Sequence, residues 1–132
     1  MKIVVGFIDS PQGNAAIDRA IEEARLRDGS LVVVNSKHGG HNEKAEDYLA
    51  MAKALDELTE RLTEADVDHD VHEYVRGDSP AEDLIQAVAD HDAEMIVIGI
   101  RERSVTGKML LGSNALEILH DSPVPVLCVK AQ

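Results

Sequence analysis

The sequence predicts an α/β fold: a single doubly wound domain over residues 1–132, with a five-stranded parallel sheet and helices on both faces. Three observations carry that expectation. Five short apolar runs alternate with four amphipathic segments in the order βαβαβαβαβ, and strict alternation calls for helical crossovers between parallel strands. Only three aromatics are present, Phe7, Tyr48 and Tyr74, so the core must be Val, Ile, Leu and Ala, the residues of strands buried on both faces. Finally, 44% of the 132 residues are hydrophobic, enough to bury a core without disulfides or metal.

KIVVGFI, residues 2–8, is a short β-branched run and reads as the first buried strand. DSPQGN supplies turn formers and candidate caps, with Asp9 able to cap the first helix. Residues 14–27 place Ala16, Ile17, Ala20, Ile21, Ala24 and Leu26 at helical spacing among charges. Asp28-Gly29-Ser30 ends that helix, and LVVVN, residues 31–35, is the second strand. A polar loop, SKHGGHNE, leads to a long helix over residues 44–64 whose Leu49, Ala52, Leu55, Leu58 and Leu62 recur every three or four positions. VHEYV, residues 71–75, is a weaker strand suited to an edge. In the turn Arg76-Gly77-Asp78-Ser79-Pro80, Ser79 is the N-cap, Pro80 the first helical residue and Glu82 stands at the capping-box position of a helix running to about His91. MIVIG, residues 95–99, is the fourth strand. A helix from Ser113 to about His120 follows, and Asp121-Ser122-Pro123 breaks it before the fifth strand, VPVLCV, residues 124–129.

Charge narrows the function. With 25 acidic and 13 basic residues the net charge is −12, which repels phosphate backbones and anionic lipid, so nucleic-acid and membrane partners are not expected. No leader-like segment and no long apolar run is found, so the expected compartment is the cytoplasm. Cys128, the single cysteine, excludes an internal disulfide and reads as a small core residue. His38 and His41 flank Gly39-Gly40, but no third ligand accompanies them, so no metal site is expected.

Against this acidity, residues 99–119, GIRERSVTGKMLLGSNALEIL, reverse the charge locally. Arg101, Arg103 and Lys108 supply cations, Gly107 adds a flexible backbone position, and Gly112 permits close backbone approach where Ser113 opens a helix. A helix start favours anions through its free amides and dipole. The spacing is wrong for a P-loop, and the first strand is not followed by a dinucleotide fingerprint, since DSPQGN holds only Gly13. In doubly wound sheets, ligands bind beyond the strand carboxyl ends where strand order reverses. If strands one and four flank that point, Asp9-Ser10-Pro11 meets this glycine-containing stretch there. No nucleophile–histidine–carboxylate set is evident, so strong catalysis is not expected; slow hydrolysis of a bound nucleotide needs little covalent help.

The whole chain resembles the universal stress protein family. The residues that carry the likeness are VVGFIDSPQGNAAIDRAIEEA, the polar pair Asn35-Ser36, GDSPAEDLIQAVADHDAEMIVIG and the closing DSPVPVLCVK. The loop after strand four is similar to the G-x2-G-x9-G-[ST] pattern of ATP-binding members: Gly99 matches the first glycine and Gly112-Ser113 the last pair, while Glu102 replaces the second glycine. The resemblance implies strand order 3-2-1-4-5 and binding of ATP, or of ADP or AMP, with or without Mg2+. It implies that Asp9 meets adenine, that the end of strand two near Asn35 and Ser36 borders base or ribose, and that Gly99, Gly112, Ser113 and Asn114 line ribose and phosphates; Ser10 beside Asp9 and the cations Arg101 and Arg103 complete the expected site. It further implies a homodimer through the fifth strand. The functional expectation is a nucleotide-binding sensor or regulator of the stress response; the alternative is a member that acts only through protein–protein contacts.

Overall fold

A computed structural model describes residues 1–36, 45–74, 79–101 and 111–131. The elements are β1 (Lys2–Gly6), α1 (Pro11–Arg27), β2 (Ser30–Ser36), α2 (Ala45–Glu64), β3 (His69–Tyr74), α3 (Pro80–His91), β4 (Met95–Ile100), α4 (Ser113–Asp121) and β5 (Val126–Lys130). The five strands form one sheet in the order β3-β2-β1-β4-β5, and every pairing is parallel. The fold class and strand order are those the sequence led us to expect. Residues 37–44, 75–78 and 102–110 lie outside the described residues, and with them His38, His41, Arg76, Gly77, Asp78, Glu102, Arg103, Gly107 and Lys108.

Strand register sorts the core into two layers. Val4 lies opposite Val32 and Ile96, so side chains of one parity share a face across the sheet. Ile3, Val5, Leu31, Val33 and Val97 pack against α1 and α2. Val4, Val32, Val34, Ile96 and Ile98 pack against α3 and α4. Each fully buried Val or Ile contributes about 1.5–3 kcal/mol relative to exposure, which is why these runs lack alternation.

Several local details depart from expectation, each for a physical reason. α1 begins at Pro11, three residues earlier than its periodicity suggests. Ser10, not Asp9, is its N-cap: the Ser10 hydroxyl accepts from the Gly13 amide at 3.0 Å, and Pro11 needs no hydrogen bond at the first helical position. At the other end Asp28, not Gly29, takes the left-handed conformation, with φ 51°. Leu26 faces solvent at 77% exposure. The buried stripe of α2 is Ala54, Leu55, Leu58 and Leu62 with Met51 beside it, while Leu49 is 71% exposed. A three-residue spacing drifts about 60° per step against a 3.6-residue helix, and two such steps carry Leu49 and Ala52 off the core. β5 starts at Val126 because Pro125 has no amide to give the ladder. Ser79 caps α3 as expected, its hydroxyl accepting from the Glu82 amide at 3.2 Å.

One acid is buried on α1. Glu23 is held between Arg19 and Arg27, each with a nitrogen 3.0 Å from a carboxylate oxygen. The hydrogen bond from Arg27 does most to hold its carboxyl below the ordinary value of 4.5; burial opposes this, and the charges of both arginines assist it. A depressed carboxyl stabilises the fold fully above the unfolded-state value, and that contribution is lost as pH falls through the folded-state value. Glu23→Gln should therefore cost stability in urea melts at pH 7, and the gap to the parent should narrow when both are melted below about pH 4. An undiminished gap at low pH would assign the loss to packing instead.

Candidate functional site

The strand order reverses between β1 and β4, whose carboxyl ends open on one cleft. The deeper part, about 290 Å³, is walled by the ends of β1, β2 and β4 through Gly6, Phe7, Val34, Ser36, Ile98 and Gly99, and by Leu84 and Ile118 from α3 and α4. An adjoining part of about 470 Å³ is lined by Ile100, Arg101, Leu111 and Gly112. Ile8, Gln12, Gly99, Asn114 and Ala115 belong to both. One half is thus mainly apolar, and the other lies at the start of α4 beside a cation.

Two glycines hold this geometry. A Cβ on Gly13 would lie 1.8 Å from the Ile8 carbonyl oxygen, and one on Gly99 would lie 1.9 Å from the Gln12 carbonyl oxygen. The β1–α1 turn, the first turn of α1 and the end of β4 are therefore in backbone contact that no side chain could enter. Gly112 is different. Its φ is −68°, open to any residue, and an added Cβ would meet nothing within 4 Å. Packing among the described residues does not require glycine there.

Gly112, and not Ser113, is the N-cap of α4, and among the described residues no side chain caps its start. Its first amides lack the side-chain partner that Ser10 and Ser79 give α1 and α3. This helix start suits an anion, with Arg101 exposed nearby on the cleft wall. Ser79 also donates from its hydroxyl to Glu117 Oε2 at 3.0 Å, tying the start of α3 to α4.

The cleft brings together Ser36, Gly99, Arg101, Gly112 and Asn114 of the expected residues. Ser113 is exposed at the first position of α4. Ser10 is engaged as a helix cap. Asp9 is exposed and lies around a separate hollow of about 180 Å³ with Asn14, Glu57 and Arg61, where Arg61 pairs with Asp18. Asn35 is 1% exposed; its Nδ2 donates to the Phe7 carbonyl at 3.0 Å and fastens the end of β2 to the segment after β1. Arg103 lies outside the described residues. Sequence reasoning missed Gln12 and the floor supplied by Leu84 and Ile118. Leu84 begins the second turn of a helix whose start at Pro80 was legible, so a search of the apolar residues in its first two turns would have included it. Among the described residues no group of three His, Cys, Asp or Glu side chains could hold a metal ion. Cys128 is half-buried, and burial pushes its thiol above the ordinary range.

The universal stress protein family model matches residues 1–130. A universal stress protein of Mycolicibacterium smegmatis is 39% identical over 128 residues, covering 97% of this chain and 96% of that protein. The solved structure of a universal stress protein from Archaeoglobus fulgidus is similar at TM-score 0.85 and 36% identity, with 98% of each chain covered. A universal stress protein structure from the same organism, in complex with dAMP, is similar at TM-score 0.77 and 30% identity, again over 98% of each chain.

The two kinds of glycine separate in a stability measurement. Gly99→Ala forces a methyl into a main-chain oxygen that no rotamer change relieves, and should cost about 1–3 kcal/mol in urea unfolding. Gly112→Val should cost no more than about 1 kcal/mol, the usual loss for a poorer N-cap. Equal costs at the two positions would contradict this division.

Proposed function

The chain belongs to the universal stress protein family, and from that premise we propose that it binds an adenine nucleotide in the β1–β4 cleft and serves as a cytoplasmic sensor or regulator. The observation that carries this reading is the start of α4: among the described residues its amides have no side-chain cap, the glycine there has open space above it, and Arg101 stands beside it, in a chain of net charge −12. A nucleotide fits the division of the cleft. The base takes the apolar part over Leu84, Ile98 and Ile118, and the phosphates take the part at Gly112. The dAMP complex of a relative 30% identical supports the same ligand class. Gly99 and Gly112-Ser113 keep the spacing of ATP-binding members, which favours ATP, with ADP and AMP as alternatives. Any Mg2+ arrives on the phosphates of the nucleotide, and hydrolysis, if present, is slow. Glu102 in place of the second motif glycine favours the second reading, a member that works through protein contacts alone.

Calorimetry decides between the two readings. The parent protein should bind ATP or AMP, and Gly112→Val should lose that binding while its melting curve stays native-like, because the added side chain occupies ligand space only. Equal affinity in both proteins would remove the phosphates from α4; no binding by the parent would leave the protein-contact reading.

The assembly proposed is a homodimer through β5. β5 is an edge strand, Val126 to Val129 are half-exposed, and no charge lies between Val124 and Val129 to repel a neighbouring strand. Pairing of β5 with its own copy about a two-fold axis closes that edge. Sedimentation in reducing buffer should find a dimer at micromolar concentration. Leu127→Lys should shift it to monomer with its helical circular dichroism intact; a dimer unaffected by the lysine would move the interface elsewhere.

A further inference from the structure

The residues shared by the two halves of the cleft include one deeply placed polar side chain, Gln12. It is 8% exposed, and among the described residues its carboxamide makes no hydrogen bond. Its nitrogen and oxygen are not among the sealed, unpartnered side-chain atoms, which are Asn35 Oδ1 and His72 Nε2. Gln12 lines both parts of the cleft, and its carboxamide is not sealed from what enters there. A buried carboxamide without a protein partner costs free energy unless something entering the cleft satisfies it.

We propose that Gln12 is the residue that reads the sugar of the bound nucleotide and sets a preference for ribose over 2′-deoxyribose. This rests on the nucleotide reading given above. The sugar joins base to phosphate, so with the base in the apolar part and the phosphates at α4 it sits at the seam between them. Gln12 and Asn114 are the two polar side chains on that seam, and Asn114 is exposed near the start of α4. A carboxamide carries an acceptor and a donor on adjacent atoms. Vicinal ribose hydroxyls present the matching donor and acceptor, and loss of the 2′-hydroxyl leaves one half of the amide unpaired. The position of Gln12 is fixed from below, since its carbonyl oxygen lies against Gly99 and its backbone cannot retreat.

The test is calorimetric titration of AMP and 2′-deoxy-AMP into the parent, Gln12→Met and Gln12→Glu. The parent should bind AMP about tenfold more tightly than 2′-deoxy-AMP, the scale of one hydrogen bond. Gln12→Met keeps the length without the amide; it should weaken AMP about tenfold, leave 2′-deoxy-AMP within about twofold and bring the ratio near one. Gln12→Glu keeps the acceptors; its charge should weaken both ligands together while part of the AMP preference remains, and this arm stands if the Met variant folds poorly. A preference that survives in Gln12→Met, or an equal loss for both ligands there, would overturn the assignment to the sugar. A parent that binds neither ligand would instead overturn the nucleotide reading.

Discussion

Close backbone contact at the β1–α1 turn is the constraint on which the rest of the structure depends. The Ile8 carbonyl lies against Gly13, and the Gln12 carbonyl lies against Gly99. These contacts bring the first turn of α1 down onto the ends of β1 and β4, where strand order reverses. They place Gln12 between the two halves of the cleft. Asn35 makes the matching tie on the other side, donating from its amide to the Phe7 carbonyl and fixing the end of β2 to the same segment. The cleft is thus shaped mainly by main chain, which moves less than long side chains do.

The two core layers meet this constraint differently. The layer under α1 and α2 is sealed by Phe7, Ile17 and Leu58, and the hollow beside Asp9 is small and polar. The layer under α3 and α4 stops short at its upper end, and Leu84 and Ile118 form a floor there. The hydrogen bond from Ser79 to Glu117 ties the start of α3 to the middle of α4. A protein interior is close-packed, so an apolar opening of this size at the end of a layer is a place for something to enter.

The fold was legible because its signals are local and repeated. Four apolar, mostly β-branched runs and one weaker strand, the Ser79-Pro80 cap and the strict alternation each point to the same topology. The site was legible in part. Gly99, Gly112 and Asn114 stand in a spacing that survives without a structure, and the cleft collects them. Asp9 shows the limit. Its place after a strand suggested a ligand or a cap, yet one residue decides between them, and Ser10 took the cap while Asp9 turned to the Arg61 side. Gln12 was invisible for a related reason. A glutamine after a proline reads as helix surface, and only the close approach of Gly99 to its carbonyl reveals that this turn is buried.

The acidity of the chain and an anion-seeking helix start are compatible because their ranges differ. Charges spread over the surface are screened within about 8 Å at physiological salt, whereas amides at a helix start act at hydrogen-bond distance. The described acids nearest in sequence to that start, Glu117 and Asp121, are engaged by Ser79 and His120. The neighbour of Asp121 feels the pairing: the hydrogen bond and charge of Asp121 push the His120 imidazole above its ordinary range. The carboxylates of Glu117 and Asp121 are thereby turned toward local partners. A net charge of −12 and a helix start suited to small anions therefore act over different distances in the same chain.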